Sequence, residues 1–194
     1  TDKILIDDIP LPAPTSYRLW RYYKPNGLIT TESDPQGRPT IFQKLPENLP
    51  RLISVGRLDL NSEGLLLMTN NGDLARKLEL PSTNWRRRYR ARVHGRVNPT
   101  LLDDLKGGIK IDGTNFGSIE ATLDRQNSSN AWITLSMTEG KNREIRKIMS
   151  HFGWPVTRLI RVSYGPFQLG NMAKGEIVEV SKKVLQEQIG HGLK

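Results

Sequence analysis

Ser54-Val55-Gly56-Arg57-Leu58-Asp59-Leu60-Asn61-Ser62-Glu63-Gly64-Leu65-Leu66-Leu67 sets a guanidinium and a carboxylate, Arg57 and Asp59, just ahead of an apolar run. Residues 65–69 have the length and apolarity of a buried strand, and Asn70-Asn71-Gly72 turns the chain after it. A carboxylate beside so much apolar sequence is costly to bury unless a cation or hydrogen-bond donors compensate. In a chain this basic, its presence makes chemistry on a polyanion the first hypothesis.

The basicity is pronounced: 29 Lys and Arg stand against 20 Asp and Glu, a net charge of +9, which attracts polyanions and points to nucleic acid as partner. At 194 residues the chain suits one domain, or one domain made of two halves. No apolar run is long enough to span a bilayer, so no membrane partner is expected. There is no cysteine, which removes disulfides, thiolate metal sites and thiol nucleophiles and fits a cytoplasmic setting. The three histidines, His94, His151 and His191, have no ligand spacing on a helix, so no metal site is expected. The start, Thr1-Asp2-Lys3-Ile4, lacks an initiator methionine and a signal pattern, and reads as that of a fragment or processed chain.

Working outward, residues 1 to about 16 end in Pro10-Leu11-Pro12-Ala13-Pro14 and read as an extended linker. Leu19-Trp20-Arg21-Tyr22-Tyr23 reads as a strand, its aromatics more in keeping with core than with an RNA platform. Lys24-Pro25-Asn26-Gly27 stops it. Residues 73–80 suit a helix ended by Pro81. In Arg86-Arg87-Arg88-Tyr89-Arg90-Ala91-Arg92-Val93-His94-Gly95-Arg96-Val97, every even position is basic. As a strand this puts a basic row on one face and Tyr89 among the inward residues of the other.

Asn98-Pro99 starts a helix that ends near Gly107-Gly108. Strands are predicted at 109–111, 116–123, 131–138, 159–162 and 175–180. After Glu139-Gly140-Lys141 comes an amphipathic helix with Ile145, Ile148, Met149 and Phe152 on its apolar stripe. Asn142 can cap its start and Gly153 its end, and Ser181 can cap a last helix through Gln188. Strands dominate without a regular βαβ rhythm, which predicts an α+β fold with a mixed, mainly antiparallel sheet and flanking helices.

Gly56-Arg57-Leu58-Asp59, with Gly64-Leu65-Leu66-Leu67-Met68-Thr69-Asn70-Asn71-Gly72, resembles the signature of ribosomal RNA pseudouridine synthases of the RsuA/RluB type. Lys24-Pro25-Asn26-Gly27-Leu28 resembles the family's first motif and Arg88-Tyr89-Arg90-Ala91-Arg92-Val93 its tyrosine strand. Glu139-Gly140-Lys141-Asn142-Arg143-Glu144-Ile145-Arg146-Lys147 resembles its third motif, with Arg158-Leu159-Ile160-Arg161 beyond it. These motifs follow the family's order over roughly residues 18 to 180.

The resemblance implies the pseudouridine synthase fold, two halves around a basic catalytic cleft, within residues 17–190, followed by a tail at 191–194. It also implies a small N-terminal RNA-binding module absent here, of which residues 4–9 would be the last strand and linker. The implied reaction cleaves the glycosidic bond of a uridine, turns the uracil and forms a carbon–carbon bond, with neither metal nor organic cofactor. A carboxylate is the natural nucleophile or base at a sugar carbon, and Asp59 would fill that role.

By the same resemblance Arg146 would be the cation that keeps Asp59 ionised, and Tyr89 would stack the extruded uracil. Arg57 would occupy the vacated space or grip the adjacent phosphate, the alternative being a simple bridge to a neighbouring carboxylate. Lys24, Lys141, Asn142 and Arg143 lie at turns or a helix start, where donors can meet phosphates; Asn142 as helix cap alone is an equal reading. Arg86, Arg88, Arg90, Arg92 and Arg96 would track the RNA backbone and set affinity and salt dependence. The expected partner is ribosomal RNA, with a large-subunit target preferred, or a pre-ribosomal particle, and a monomeric state is predicted. The rival reading is a non-catalytic basic RNA-binding or ribosome-assembly protein, which would need no Asp59.

Overall fold

The computed structural model describes Leu5–Ile6, Ile9–Pro10 and residues 16–190. The proline-rich stretch at 11–15 and the tail at 191–194, read from sequence as linker and tail, lie outside the described residues. β1 (Leu5–Ile6) and β2 (Ile9–Pro10) form a small antiparallel pair. β3 (Leu19–Lys24), β4 (Ile53–Val55) and β5 (Glu63–Thr69) follow, then α1 (Gly72–Glu79) and β6 (Arg87–His94). α2 (Pro99–Asp104) leads to a hairpin of β7 (Ile109–Ile111) and β8 (Thr114–Phe116). β9 (Glu120–Gln126), β10 (Asn130–Met137) and α3 (Glu144–His151) come next. β11 (Val156–Tyr164), β12 (Phe167–Gln168), β13 (Ile177–Glu179) and α4 (Lys182–Ile189) are the last elements among the described residues. Among the described residues no helix is long and apolar enough to cross a membrane.

The main sheet has nine strands in the order β13-β3-β5-β11-β6-β10-β9, with β4 pairing β5 and β12 pairing β11. All its pairings are antiparallel except β5 with β11, so the expected α+β, mainly antiparallel architecture is the observed one. Every residue of β5 is buried, which is why this segment reads as a continuous apolar run and not as an alternating strand. Leu65, Leu66 and Leu67 are fully buried, each worth about 1.5–3 kcal/mol of transfer free energy.

Alternation along the strands builds a core on each side of the sheet. Trp20, Tyr22, Leu66, Met68, Tyr89, Ala91 and Val93 pack with Leu102 of α2 and Ile145, Ile148 and Met149 of α3. Leu19, Tyr23, Leu65 and Leu67 pack on the other side with Leu74 and Leu78 of α1 and Leu185 of α4. The aromatics of β3 are therefore core, as their sequence context suggested.

The parallel pairing of β5 with β11 joins two antiparallel halves of the main sheet, and its chemistry is specific. Gly64 lies opposite Arg161 with φ +107°, and a Cβ there would fall 2.3 Å from the Arg161 carbonyl oxygen. Beside it, the carboxylate of Glu63, 3 % exposed, receives Arg158 Nε, and Lys174 Nζ lies 3.1 Å from its Oε2. Burial pushes the Glu63 carboxyl up, but the two cations outweigh it and leave it below the ordinary range.

Several local expectations needed correction. The strand predicted at 116–123 is two strands, β8 and β9, separated at residues 117–119; β4 was not anticipated, because three residues carry too little periodicity. Helix α3 begins at Glu144 behind Arg143, whose φ is 51°, so Asn142 is not its cap. Asn71, Asn98 and Ser181 do cap helices through their side chains.

Replacing Gly64 by Ala should lower stability by about 1–3 kcal/mol, from the positive φ and the collision with β11. Urea unfolding midpoints measure this, and a variant unfolding with wild-type protein would show that the seam is not so tightly closed.

Candidate active site

Asp59 lies in the loop between β4 and β5, and that loop is held through its backbone. Thr30 Oγ1 donates to Leu58 O at 3.0 Å, and Ser62 N donates to Asp59 O at 3.0 Å. Gly27 N donates to Leu60 O at 2.9 Å and Arg146 Nη2 to Asn61 O at 2.6 Å. The Lys24 ammonium reaches Asp59 O at 3.1 Å and Ser62 O at 2.8 Å, and also Pro25 O at 3.1 Å. Each carbonyl from 58 to 62 thus accepts at least one hydrogen bond.

Lys24 is fully buried, so the expectation that it meets a phosphate is corrected. Burial pushes its ammonium down to about 8, while the nearby Asp59 and Glu63 carboxylates oppose the shift. The unfolded chain keeps this proton to about pH 10.5, the folded one only to about pH 8. The group's cost to stability is therefore fully present at neutral pH and recedes as pH rises between those values.

Beside the loop is a cavity of about 350 Å³. Arg57 and Asp59 form one side, and Lys141, Asn142, Arg143 and Arg146 another. The sheet contributes Arg87, Tyr89, Arg161 and Tyr164, with Met137, Leu159 and Ile145 as apolar lining. Such a volume is within the range of small-ligand sites. Tyr89 and Arg161 are direct cross-strand partners and both are buried.

Asp59 Oδ2 lies 3.7 Å from Arg143 Nη1, the side chains being 34 % and 46 % exposed. A pair this open contributes at most about 1 kcal/mol to stability, so its value lies in placement of charge. The cation expected for Asp59 was Arg146. Its Nη1 instead donates to Val156 O at 2.9 Å and its Nη2 to Asn61 O, tying α3 to the loop and to β11. Burial, and then the neighbouring Arg143, push the Arg146 guanidinium below its ordinary value, with Asp59 opposing. Arg146 therefore sets the loop's position, and Arg143 is the guanidinium within ion-pairing distance.

Glu144, buried at the start of α3, accepts Lys141 N at 2.9 Å on Oε2, while Oε1 has no partner. Burial pushes its carboxyl up, only partly offset by that N–H. Lys141 Nζ donates to Asn115 O at 2.7 Å and to Glu139 Oε2 at 2.9 Å. Arg87 Nη2 donates to Tyr164 Oη at 3.1 Å, which in turn donates to Leu78 O. Arg161 Nε donates to Leu65 O at 2.7 Å, and its Nη2 has no partner.

Residues 18–151 match the family model for RNA pseudouridylate synthase. The chain belongs to that family. An RNA pseudouridine synthase of Rickettsia bellii (strain RML369-C) is 53 % identical over 86 % of this chain and 72 % of its own length. Ribosomal large subunit pseudouridine synthase B of Salmonella typhi is 42 % identical over 78 % of this chain and 53 % of its own length. A crystal structure of a pseudouridylate synthase superposes with a TM-score of 0.77 at 23 % identity, covering 93 % of this chain and 76 % of that one. The protein is an RNA pseudouridine synthase, an isomerase.

In this pseudouridine synthase the cavity gathers Arg57, Asp59, Tyr89, Lys141, Asn142, Arg143 and Arg146. It does not gather Arg88, Arg90 or Arg92: with Tyr89 pointing into the cavity, alternation sends them through the opposite face, where they are exposed. Sequence reading did not assign Arg87 and Arg161 to the site. Arg161 stood in a quoted motif, but its pairing with Tyr89 is a matter of register between strands 72 residues apart. Thr30 offered no local signal at all.

Lys24→Met should leave the fold intact and lower kcat by about 10²-fold, the scale of a misplacement near 1 Å. RNA affinity should hardly change, because Lys24 touches backbone and not solvent. A large loss of affinity with unaltered kcat would restore the phosphate-contact reading.

Proposed function

We propose that this enzyme isomerises one specific uridine in ribosomal RNA, with the large subunit as the preferred target and Asp59 as the nucleophile. The observation that carries this reading is the placement of Asp59. Its backbone is immobilised, while its carboxylate faces a nucleoside-sized cavity that also contains Tyr89 and an adjacent guanidinium. A non-catalytic RNA-binding protein would have no use for such a loop. The similarity to Ribosomal large subunit pseudouridine synthase B supports the choice of target.

The reaction breaks the bond between N1 of uracil and C1′ of ribose, turns the base, and joins C5 to C1′. The proton on C5 goes to solvent, N1 takes one up, and no electrons are exchanged. Asp59 supplies the electron pair that opens the isomerisation. Arg143 Nη1, 3.7 Å away, keeps positive charge beside the carboxylate. Tyr89 offers its ring to the extruded uracil, replacing stacking worth about 1–3 kcal/mol per base.

Arg57, exposed at the cavity mouth and in no ion pair among the described residues, fills the space the base vacates or grips the adjacent phosphate. Asn142 and Arg143 receive neighbouring phosphates, and Lys141 adds positive charge beside them.

Asp59→Asn should abolish release of tritium from RNA labelled at C5 of uracil while leaving RNA binding within about twofold, since the substitution is nearly isosteric. Equal release by variant and wild type would remove Asp59 from the chemistry. Binding without release in both proteins would favour the RNA-binding alternative.

A further inference from the structure

The exposed arginines of the most basic stretch, Arg88, Arg90 and Arg92, face away from the active site. Helices α2 and α3 cover the sheet on the Tyr89 side, and α1 and α4 cover the other side over β3 and β5. On that other side, β6, β10 and β9 present their side chains to solvent. Arg88, Arg90 and Arg92 are exposed there, opposite Ser136, Thr134 and Trp132 of β10. Alternate residues of a strand are about 6.5–7 Å apart, so the three guanidinium groups form a line of about 13 Å. A line of charge fits a polyanion better than a single ion.

The partners of these arginines define what the face can take. Arg90 stacks over the Trp132 ring at 5.0 Å and lies 3.6 Å from Asp124. Arg86 is held by Glu120 at 2.5 Å. Among the described residues Arg88 and Arg92 pair with no carboxylate. Beside Arg88 runs a groove of about 370 Å³ walled by the Arg86–Glu120 pair and by hydroxyl and amide side chains, Ser136, Ser163 and Gln168 among them. Among the described residues the exposed large apolar side chains, Leu80 and Val184, lie elsewhere, and the one large ring on this face, Trp132, is partly buried with Arg90 stacked over it, so the face offers charge and not an apolar centre on which protein partners seat.

We propose that the open face of β6, β10 and β9 is a second RNA-contact surface, gripping the backbone of a segment other than the one that presents the uridine. The choice of RNA as ligand rests on the function proposed above. The two sites lie on opposite sides of one sheet, so a single substrate reaches both only if it is folded and passes around the sheet. Binding here would be electrostatic, through release of counterions, and would carry no base preference.

The test measures affinity for a long folded ribosomal RNA fragment at stepped salt concentrations, comparing wild type with the double variant Arg88→Gln, Arg92→Gln. Loss of two phosphate contacts should make the slope of log affinity against log salt shallower by about 1.4–1.8. A charge-matched control, Lys182→Gln with Lys183→Gln on exposed α4, should change it much less. An unaltered slope in the arginine variant, or an equal change in the control, overturns the proposal. Tritium release by wild type on the same RNA separates the two readings. Release with an unaltered slope sinks the second surface alone, whereas no release sinks the function beneath it.

Discussion

The structure depends on one interaction above the others: the hydrogen-bonding of five consecutive carbonyls, 58 to 62, by donors from distant parts of the chain. A loop left to itself would satisfy such oxygens with water and pay little for moving. Here Lys24 from β3, Thr30 from the following loop, Gly27 N–H and Arg146 from α3 converge on it. The costliest of these is the buried ammonium, whose desolvation is repaid only when the carbonyls surround it. Main-chain fixation leaves the Asp59 carboxylate facing the cavity, which a side-chain clamp would not.

Charge is arranged on the same logic of separation. The cavity holds arginines engaged mostly with backbone oxygens, such as Arg146 and Arg161, beside the less restrained Arg57 and Arg143. The engaged ones fix geometry; the others are available to ligand oxygens. Strand alternation assigns Arg88, Arg90 and Arg92 to a surface of their own, so one eight-residue strand supplies the Tyr89 ring to one side and three cations to the other.

Much of this was legible in the chain. The antiparallel α+β class followed from strand frequency, the inward Tyr89 from alternation, and the apolar stripe of α3 from its period, all of which are local properties. The residues of the cavity were largely named because their motifs resemble a known family. Partnership was not legible. That Lys24 would turn inward, that Arg143 would stand within ion-pairing distance of Asp59 while Arg146 binds backbone carbonyls, and that Arg161 would neighbour Tyr89 are outcomes of packing between elements far apart in sequence. The helix start at Glu144 was misread because Arg143 adopts a left-handed backbone that its residue type does not advertise.

Gly64 and its contact with Arg161 carry a further meaning. Asp59 lies in the loop that leads into β5, whereas Tyr89 belongs to β6, and among the described residues β5 joins the strands of that other half through two backbone-paired positions. The missing side chain at position 64 thus acts as the pivot of a calliper. It sets how closely the jaws approach, and with them the loop that carries Asp59 and the strand that carries Tyr89.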